Sequence, residues 1–327
     1  MRVDMNNSPE RRDQGAVRDS VVAIVVHHKS YDTIGLTVHG LVDQGIRNDR
    51  MVIVDNSEQA NQRGALMASL PPGTRVIFVD NDGYAAAVNS GLAYLREVGI
   101  SSQYTLVSTH EVRLEAGAVA ILVEALAADA TAGAAGPTLV ALGSEENAQV
   151  FSQGGYLSRF LRIPRHCRVV QAGGRRDHLP QIVQRDWLDG ALVLFDSEVL
   201  AAHPLRTEFF LYLEEVEQQA RIRQSGFKVL FVPAAVASQS TNGAPAYWFA
   251  RNLHVFQRLH GSLLTVVLTT PIWILAHVVR REQGRRWAFL RDAGRGWVEG
   301  ITACVPGAVA LPCKETPAQS SSHQRNI

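Results

Sequence analysis

Two glutamates stand side by side in the run Phe209-Phe210-Leu211-Tyr212-Leu213-Glu214-Glu215-Val216-Glu217. An ionised carboxylate beside a cleft can take a proton from a hydroxyl. The aromatic-apolar run before the pair, and Arg221 and Arg223 after it, predict a helix that opens at the glutamates and reaches Gly226. A helix N-terminus favours negative side chains, so both can stay ionised there. An acidic first turn on a surface helix gives the same pattern without chemistry. A second candidate is Thr109-His110-Glu111, where imidazole and carboxylate together can bind a divalent metal. On an extended chain adjacent side chains point opposite ways, so only one of the two is expected to face a site.

Asp55-Asn56-Ser57 and Asp80-Asn81-Asp82-Gly83 each follow a short apolar run. Carboxylates and amides in such places can hold a base or a ribose; equally, they make turns and cap helices. Asn89 falls in the second turn of the next predicted helix, where an amide is mildly unfavourable and asks for a reason. Arg251 stands on a later predicted helix and has the fork geometry that suits a phosphate.

These residues need elements to position them. Val21–Val26, Met51–Val54, Arg75–Val79 and Tyr104–Ser108 are short and apolar, rich in β-branched residues, and read as buried strands. His27-His28-Lys29-Ser30-Tyr31 reads as a polar turn after the first strand. Helices are predicted over Thr33–Gln44, from Gly83 onward, and over Gly117–Ala128. Strands and helices therefore alternate. That is the pattern of an open, mostly parallel α/β sheet whose ligands bind beyond the carboxyl ends of the strands. Residues 141–186 are less regular and are expected to form hairpin or loop structure that can cover a cleft. Strands return at Asp186–Phe195, where Gly190-Ala191 permits close backbone approach, and at Lys228–Val232. Ser238–Pro245 reads as a loop, followed by a helix from Tyr247.

The chain has 327 residues, 46% hydrophobic and 19% charged, enough for a sizeable core. A net charge of +1 gives no footprint for nucleic acid. Three cysteines without metal-ligand spacing fit a reducing compartment. Residues 1–20 are polar and carry no signal-peptide pattern, which leads to a cytoplasmic expectation. Residues 1–19 and 312–327 are expected to be disordered tails. Leu263–Val279 is apolar throughout, contains Pro271 and His277, and is followed by Arg280, Arg281, Arg285 and Arg286. Seventeen residues is the lower limit for a span. An interfacial or partner-binding hairpin, with peripheral membrane contact through 263–286, is the expectation, with a buried core helix as the alternative.

In order, the segments resemble the family 2 inverting glycosyltransferases of GT-A fold, most of all their rhamnosyltransferase-like branch. The resemblance covers residues 20–260. It rests on Val21–Tyr31, Val52–Ser57, Asn81–Gly91, Leu188–Leu194 and Phe209–Glu217 with Arg221. The fold implied is a Rossmann-like mixed, mostly parallel sheet with helices on both faces, followed by an apolar, basic helical segment over 261–311. The activity implied is inverting transfer of a sugar, rhamnose being one candidate, from a nucleoside-diphosphate sugar to a hydroxyl of a glycan or glycolipid. A place on the inner face of the cell membrane would accompany it.

The resemblance also implies roles. Asp55 and Asn56 would hold the base or ribose, and Asn81, Gly83 and Asn89 would shape the nucleotide pocket. Arg251 would approach the donor diphosphate. Glu111, with His110 beside it, would hold Mn²⁺ or Mg²⁺ where relatives carry Asp-x-Asp. Glu215 would be the general base, with Glu214 in support, and Trp187, Asp189 and Gly190 would line the acceptor side. Glutamate stands where relatives have aspartate at 111 and 215, and Ser238-Gln239 stands where many carry a metal-site histidine. A non-catalytic paralogue that binds a nucleotide sugar, a glycan or a partner protein is the alternative. A nicotinamide enzyme is disfavoured, because His27-His28-Lys29 replaces the glycine-rich turn that such folds place after the first strand.

Overall fold

The computed structural model describes residues 17–142, 149–167, 182–240 and 243–308. They fall into two compact units. One comprises Met1–Ser158 and Pro164–Gly243, the other Arg159–Ile163 and Ala244–Ile327.

The first unit is built on one mixed sheet. Its chain runs β1 (Val21–His27), α1 (Tyr31–Asp43), β2 (Met51–Asp55), α2 (Arg63–Ser69), β3 (Arg75–Phe78), α3 (Tyr84–Glu97) and β4 (Tyr104–Thr109). It continues through β5 (Arg113–Leu114), α4 (Ala118–Ala127), β6 (Ala132–Ala141), β7 (Val150–Ser152), β8 (Gly155–Leu157), β9 (Pro164–His166) and β10 (Val183–Gln184). β11 (Leu192–Asp196), α5 (Ser197–Ala202), α6 (Glu214–Gln224) and β12 (Lys228–Gln239) complete it. The strand order is β10-β12-β6-β11-β4-β1-β2-β3, with β5 beside β12 and β7 beside β6. β3, β2, β1 and β4 are parallel neighbours. β11 enters antiparallel between β4 and β6. β8 and β9 form a separate antiparallel pair.

Every residue of β1 is buried. Because side chains alternate across a strand, the two faces of β1 feed two cores. Val21, Ala23 and Val25 join Ile34, Val38 and Leu41 of α1 and Leu122 of α4. Val22, Ile24 and Val26 join Ala85 and Val88 of α3 and Ile222 of α6. A Cβ at Gly91 would lie 2.7 Å from Ile24 Cγ2, so that glycine lets α3 settle onto the sheet. The expected α/β sheet with helices on both faces is thus the one observed.

Several boundaries differ from the sequence reading. The expected N-terminal tail is shorter: residues 17–20 are helical, and Val17 is fully buried against the first core. The rest of that tail and residues 312–327 lie outside the described residues. β12 runs through Ser238 and Gln239, read above as loop, because parallel pairing with β6 continues past an irregularity between Val232 and Val236. Ala244 onward groups with the second unit.

That second unit holds α7 (Ala246–His260), α8 (Leu263–Val279) and α9 (Gln283–Thr302). A Cβ at Gly296 would stand 2.1 Å from Tyr247 O, and one at Gly300 2.6 Å from Arg251 O. The missing side chains let α9 lie directly on α7, which is why α7 groups with the C-terminal helices. Leu263–Val279 is one helix with Pro271 inside it, not a hairpin. Among the described residues no helix is long and apolar enough to cross a membrane.

Candidate functional site

The chain order reverses between β1 and β4, which both begin crossovers leading to opposite sides of the sheet. Such a switch point opens a crevice at the carboxyl ends of the strands. His27 and Asp55 end β1 and β2 as register partners. The His27 Nδ1–H donates to Asp55 Oδ1 at 3.0 Å. Ser57 adds its backbone N–H at 3.0 Å and its hydroxyl, both on the same oxygen. Burial (3% exposed) works to raise the Asp55 carboxyl, but the bonds from His27 and Ser57 outweigh it and hold the group below the usual carboxylate range. Next in line, His28 Nδ1–H donates to Asn56 O and Oδ1 at 3.2 and 3.1 Å. Burial holds that imidazole below its ordinary value, against the Asn56 side chain, which favours the charged form. Asn56 Nδ2 in turn donates to Asn81 Oδ1 at 3.1 Å. Asn56 and Asn81 are therefore joined through their side chains, while the Asp55 carboxylate is bonded by His27 and Ser57.

β4 ends at Thr109, and His110 and Glu111 sit in a turn. The turn brings both side chains together, His110 Nε2 lying 3.5 Å from Glu111 Oε1. This corrects the expectation that only one of them faces the site: the alternation rule applies to a strand, and the strand has ended. His110 Nδ1–H donates to Val26 O at 3.2 Å, and the Thr37 hydroxyl holds His110 O at 2.7 Å. Since a carbonyl can only accept, Nδ1 carries a hydrogen; Nε2 is turned to the carboxylate and needs a second hydrogen to bond it, which it would give up to ligate a metal. A ligating histidine is commonly prepared this way. The Ser240 hydroxyl donates to Glu111 Oε2. The His110 bond is the main reason that the Glu111 carboxyl lies below its usual range, with burial opposing and Ser240 adding to it. The His27 and His110 rings meet edge-on, centroids 5.6 Å apart, so the two clusters are contiguous. Among the described residues no group of three or more ligating side chains forms. A lone His–Glu pair still fits an octahedral ion that takes its remaining ligands from water and substrate phosphates.

The acidic stretch is reached through α3. Phe210 sits at φ 62°, ψ −60°, and Leu211 N–H donates to Phe209 O at 2.7 Å. That is a γ-turn of the strained hand. Tyr212 and Leu213 follow at φ 70° and 68°. Three left-handed side-chain-bearing residues in four positions store strain, as functional segments often do. Tyr84 N–H donates to Phe210 O at 2.8 Å. Gly83, at φ 93°, permits this approach, since a Cβ there would sit 2.1 Å from Phe210 O.

Beyond the strained segment α6 begins at Glu214, which is 4% exposed and whose Oε2 has no hydrogen-bond partner among the described residues. Burial, with Asp189 adding like charge, pushes its carboxyl up to about 7. Glu215 is partly exposed and packs on Gly190, its Cβ 3.4 Å from where a Gly190 Cβ would be. Burial, then Glu214 and Asp189, push it up as well. Asp189 is itself raised by burial. A small void with room for about one water lies beside Glu215, lined also by Tyr84, Gly190, Leu205 and Gln219. Tyr84 OH donates to Gly190 O at 2.8 Å, and Gln219 clamps the Leu188 backbone with Oε1 at 2.6 Å and Nε2 at 2.9 Å. Burial and mutual like charge thus raise all three carboxyls.

The structure gives other predicted residues different tasks. Both atoms of the Asn89 amide bond the Leu205 backbone, at 2.8 and 3.2 Å, so that amide fixes the chain leading to the acidic stretch. Trp187 is buried, with Gly155 against its ring and His166 edge-on at 4.8 Å. Arg251 belongs to the second unit, where it donates to Glu299 Oε1 at 3.2 Å and Asn252 Oδ1 at 2.7 Å. The sequence reading missed His27, Ser57, Tyr84, Gln219 and Ser240. Gln219 alone left a signal, an uncharged polar residue on the inward side of the predicted helix.

Residues 21–162 match the model for Glycosyl transferase family 2. The match contains Asp55, Asn56, Asn81, Gly83, Asn89, His110 and Glu111, and stops short of Asp189, Glu214 and Glu215. No curated protein sequence matches the chain. The fold is similar to that of GalNAc-T7 solved with UDP, GalNAc and Mn²⁺ (TM-score 0.55, 14% identity), covering 87% of this chain and 56% of that one. The present chain therefore spans little more than half of that protein. It is also similar to the mannosyltransferase PcManGT from Pyrobaculum calidifontis with GDP-Man and Mn²⁺ (TM-score 0.52, 14% identity, 89% of this chain and 93% of that one). The architecture is GT-A-like.

Proposed function

We propose that the protein is a glycosyltransferase that moves a sugar from a nucleoside-diphosphate sugar to a hydroxyl of a glycan or glycolipid, with inversion. The observation that carries this reading is the Glu214-Glu215 pair, presented by a strained segment beside Gly190 and Tyr84, with both carboxyls raised by burial and by like charge nearby. A carboxylate within reach of an acceptor hydroxyl can act as its general base. Glu215, the more exposed of the two, takes the proton from the acceptor hydroxyl. That oxygen then bonds to the anomeric carbon as the bond to the diphosphate oxygen breaks. One base and one displacement give inversion. Glu214 and Asp189 tune the base, and Trp187 and Gly190 shape the acceptor side.

Asp55, Asn56, Asn81 and Gly83 would receive the nucleotide. All three bonds to Asp55 fall on Oδ1, which leaves Oδ2 to accept from a base or ribose. His110 and Glu111 would hold Mn²⁺ or Mg²⁺, whose positive charge would favour a departing diphosphate. Rhamnose as the sugar and a location on the inner face of the cell membrane complete the reading. A second reading, a paralogue that binds a nucleotide sugar without transfer, draws on Glu111 being engaged by His110 and Ser240 already.

Calorimetric titration with UDP and dTDP, with and without Mn²⁺, tests the first reading. The expected outcome is binding that tightens with Mn²⁺, and a loss of that increment of about tenfold or more in His110→Ala. Absence of binding to either nucleotide would overturn the donor assignment. Metal-independent binding without transfer would favour the second reading.

A further inference from the structure

The second unit carries a surface that the transfer chemistry does not use. One side of α8 is buried through Val266, Thr269, Thr270, Trp273 and Ile274. The opposite side is equally apolar and lies open. Leu264 is 67% exposed, Leu275 65% and Val279 65%, with Val267 and Leu268 completing the stripe. Their spacing of three, four and seven residues puts them on one helical face. No charged residue interrupts the helix from Leu263 to Val279. Trp287, on α9 just beyond the connecting turn, is 79% exposed. A continuous exposed apolar stripe of this kind marks an interaction surface.

The charge beside the stripe selects the partner. Arg280, Arg281, Arg285 and Arg286 cluster at the turn from α8 to α9, with Glu282 as the lone acid among them. Arg281 lies over the Phe289 ring at 3.9 Å, and Arg286 Nε donates to Arg281 O at 2.8 Å, so part of the cluster is held in place. An apolar face alone would suit a second copy of this chain equally well. An apolar face ending in arginines and an open tryptophan suits the boundary of an anionic bilayer, where acyl chains take the leucines, headgroups the indole, and lipid phosphates the guanidiniums. α8 has 17 residues, and no helix among those described qualifies as a span.

We infer that the outer face of α8, with the arginine turn and Trp287, docks flat on an anionic lipid bilayer without crossing it. This gives the inner-face location a physical basis and does not depend on the transfer chemistry.

Flotation of the full-length protein with phosphatidylcholine vesicles, and with vesicles that also contain phosphatidylglycerol, tests it. Binding is expected to the phosphatidylglycerol vesicles alone, and to weaken with salt. Arg280→Gln and Arg285→Gln should each reduce partitioning about fivefold. The double variant Leu264→Ser/Leu275→Ser should reduce it at least about tenfold. All four side chains are exposed, so the variants should keep the wild-type melting curve and UDP affinity, and a failure of the donor assignment would leave the vesicle result standing. The inference is overturned if folded wild-type protein ignores phosphatidylglycerol vesicles. It is overturned too if the serine variant binds them as wild type does, or if the stripe instead mediates a dimer that the serine variant abolishes.

Discussion

Two polar regions of the first unit solve opposite problems. At the ends of β1 and β2, Asp55 is as buried as Glu214, yet three donors converge on one of its oxygens and its carboxyl is held low. At the start of α6, Glu214 has an unpartnered oxygen, Glu215 and Asp189 stand close by, and all three carboxyls are raised. Burial alone therefore decides nothing. The supply of donors does: a saturated carboxylate keeps a fixed charge suited to holding a ligand, whereas an under-supplied one keeps a proton that can move. The backbone follows the same division. The first region uses ordinary strand ends, and the second is held by three left-handed residues in four.

The largest effect expected from this contrast is at Glu215. Glu215→Gln should lower transfer by about 10²–10⁴-fold while leaving UDP affinity within about twofold. Equal loss of both, measured by transfer assay and calorimetry, would break the division of labour. Gly83→Ala should come next. Its Cβ would meet Phe210 O at 2.1 Å, and its φ of 93° disfavours any side chain. A loss of roughly 3 kcal/mol in denaturant unfolding is expected. A stable alanine variant would show that the γ-turn at Phe210 needs no such contact.

Glu214→Gln sharpens the comparison through pH. An unfolded glutamate titrates near about 4.3. Below that value both states hold the proton; between there and about 7 only the folded state does, so stability falls as pH rises. The amide never ionises. The variant should therefore be more stable than wild type by about 1–3 kcal/mol at pH 8, with the gap closing toward pH 5. A gap that widens on acidification would reverse the assignment. The smallest effect is expected from His27→Ala, which removes one of the donors on Asp55. A loss of about 1–2 kcal/mol and weaker UDP binding should follow, with the pH profile of transfer unchanged. A shifted profile would mean that the two regions are not independent.

Much of the fold was legible because it rests on local pattern. The β-branched runs at Val21–Val26 and Met51–Val54 could only be buried strands, and polar residues directly after them had to lie at the sheet's edge. Asp55, Asn56 and Asn81 were placed at strand ends by that rule, and their proposed roles came from the family resemblance. His27 was not: it was read as the first residue of a polar turn, yet it ends β1 fully buried, because the acceptor it needs is supplied from 28 residues away. The left-handed conformations at Phe210, Tyr212 and Leu213 had no cue either, since aromatic and branched residues there advertise strand or core. The membership of α7 in the second unit depended on Gly296 and Gly300, whose meaning appears only once another helix lies on them.

The sequence by itself determined the alternation of strands and helices, the polar strand ends, the acidic helix start and the unbroken apolar run of Leu263–Val279, since each depends on neighbours a few residues apart. Tertiary structure alone decided which carboxylate is saturated and which is starved of donors, that His110 and Glu111 face one another, and that one side of α8 stays open. Those outcomes depend on groups brought together from distant parts of the chain, and hydrogen-bond supply and solvent exposure are properties of that meeting.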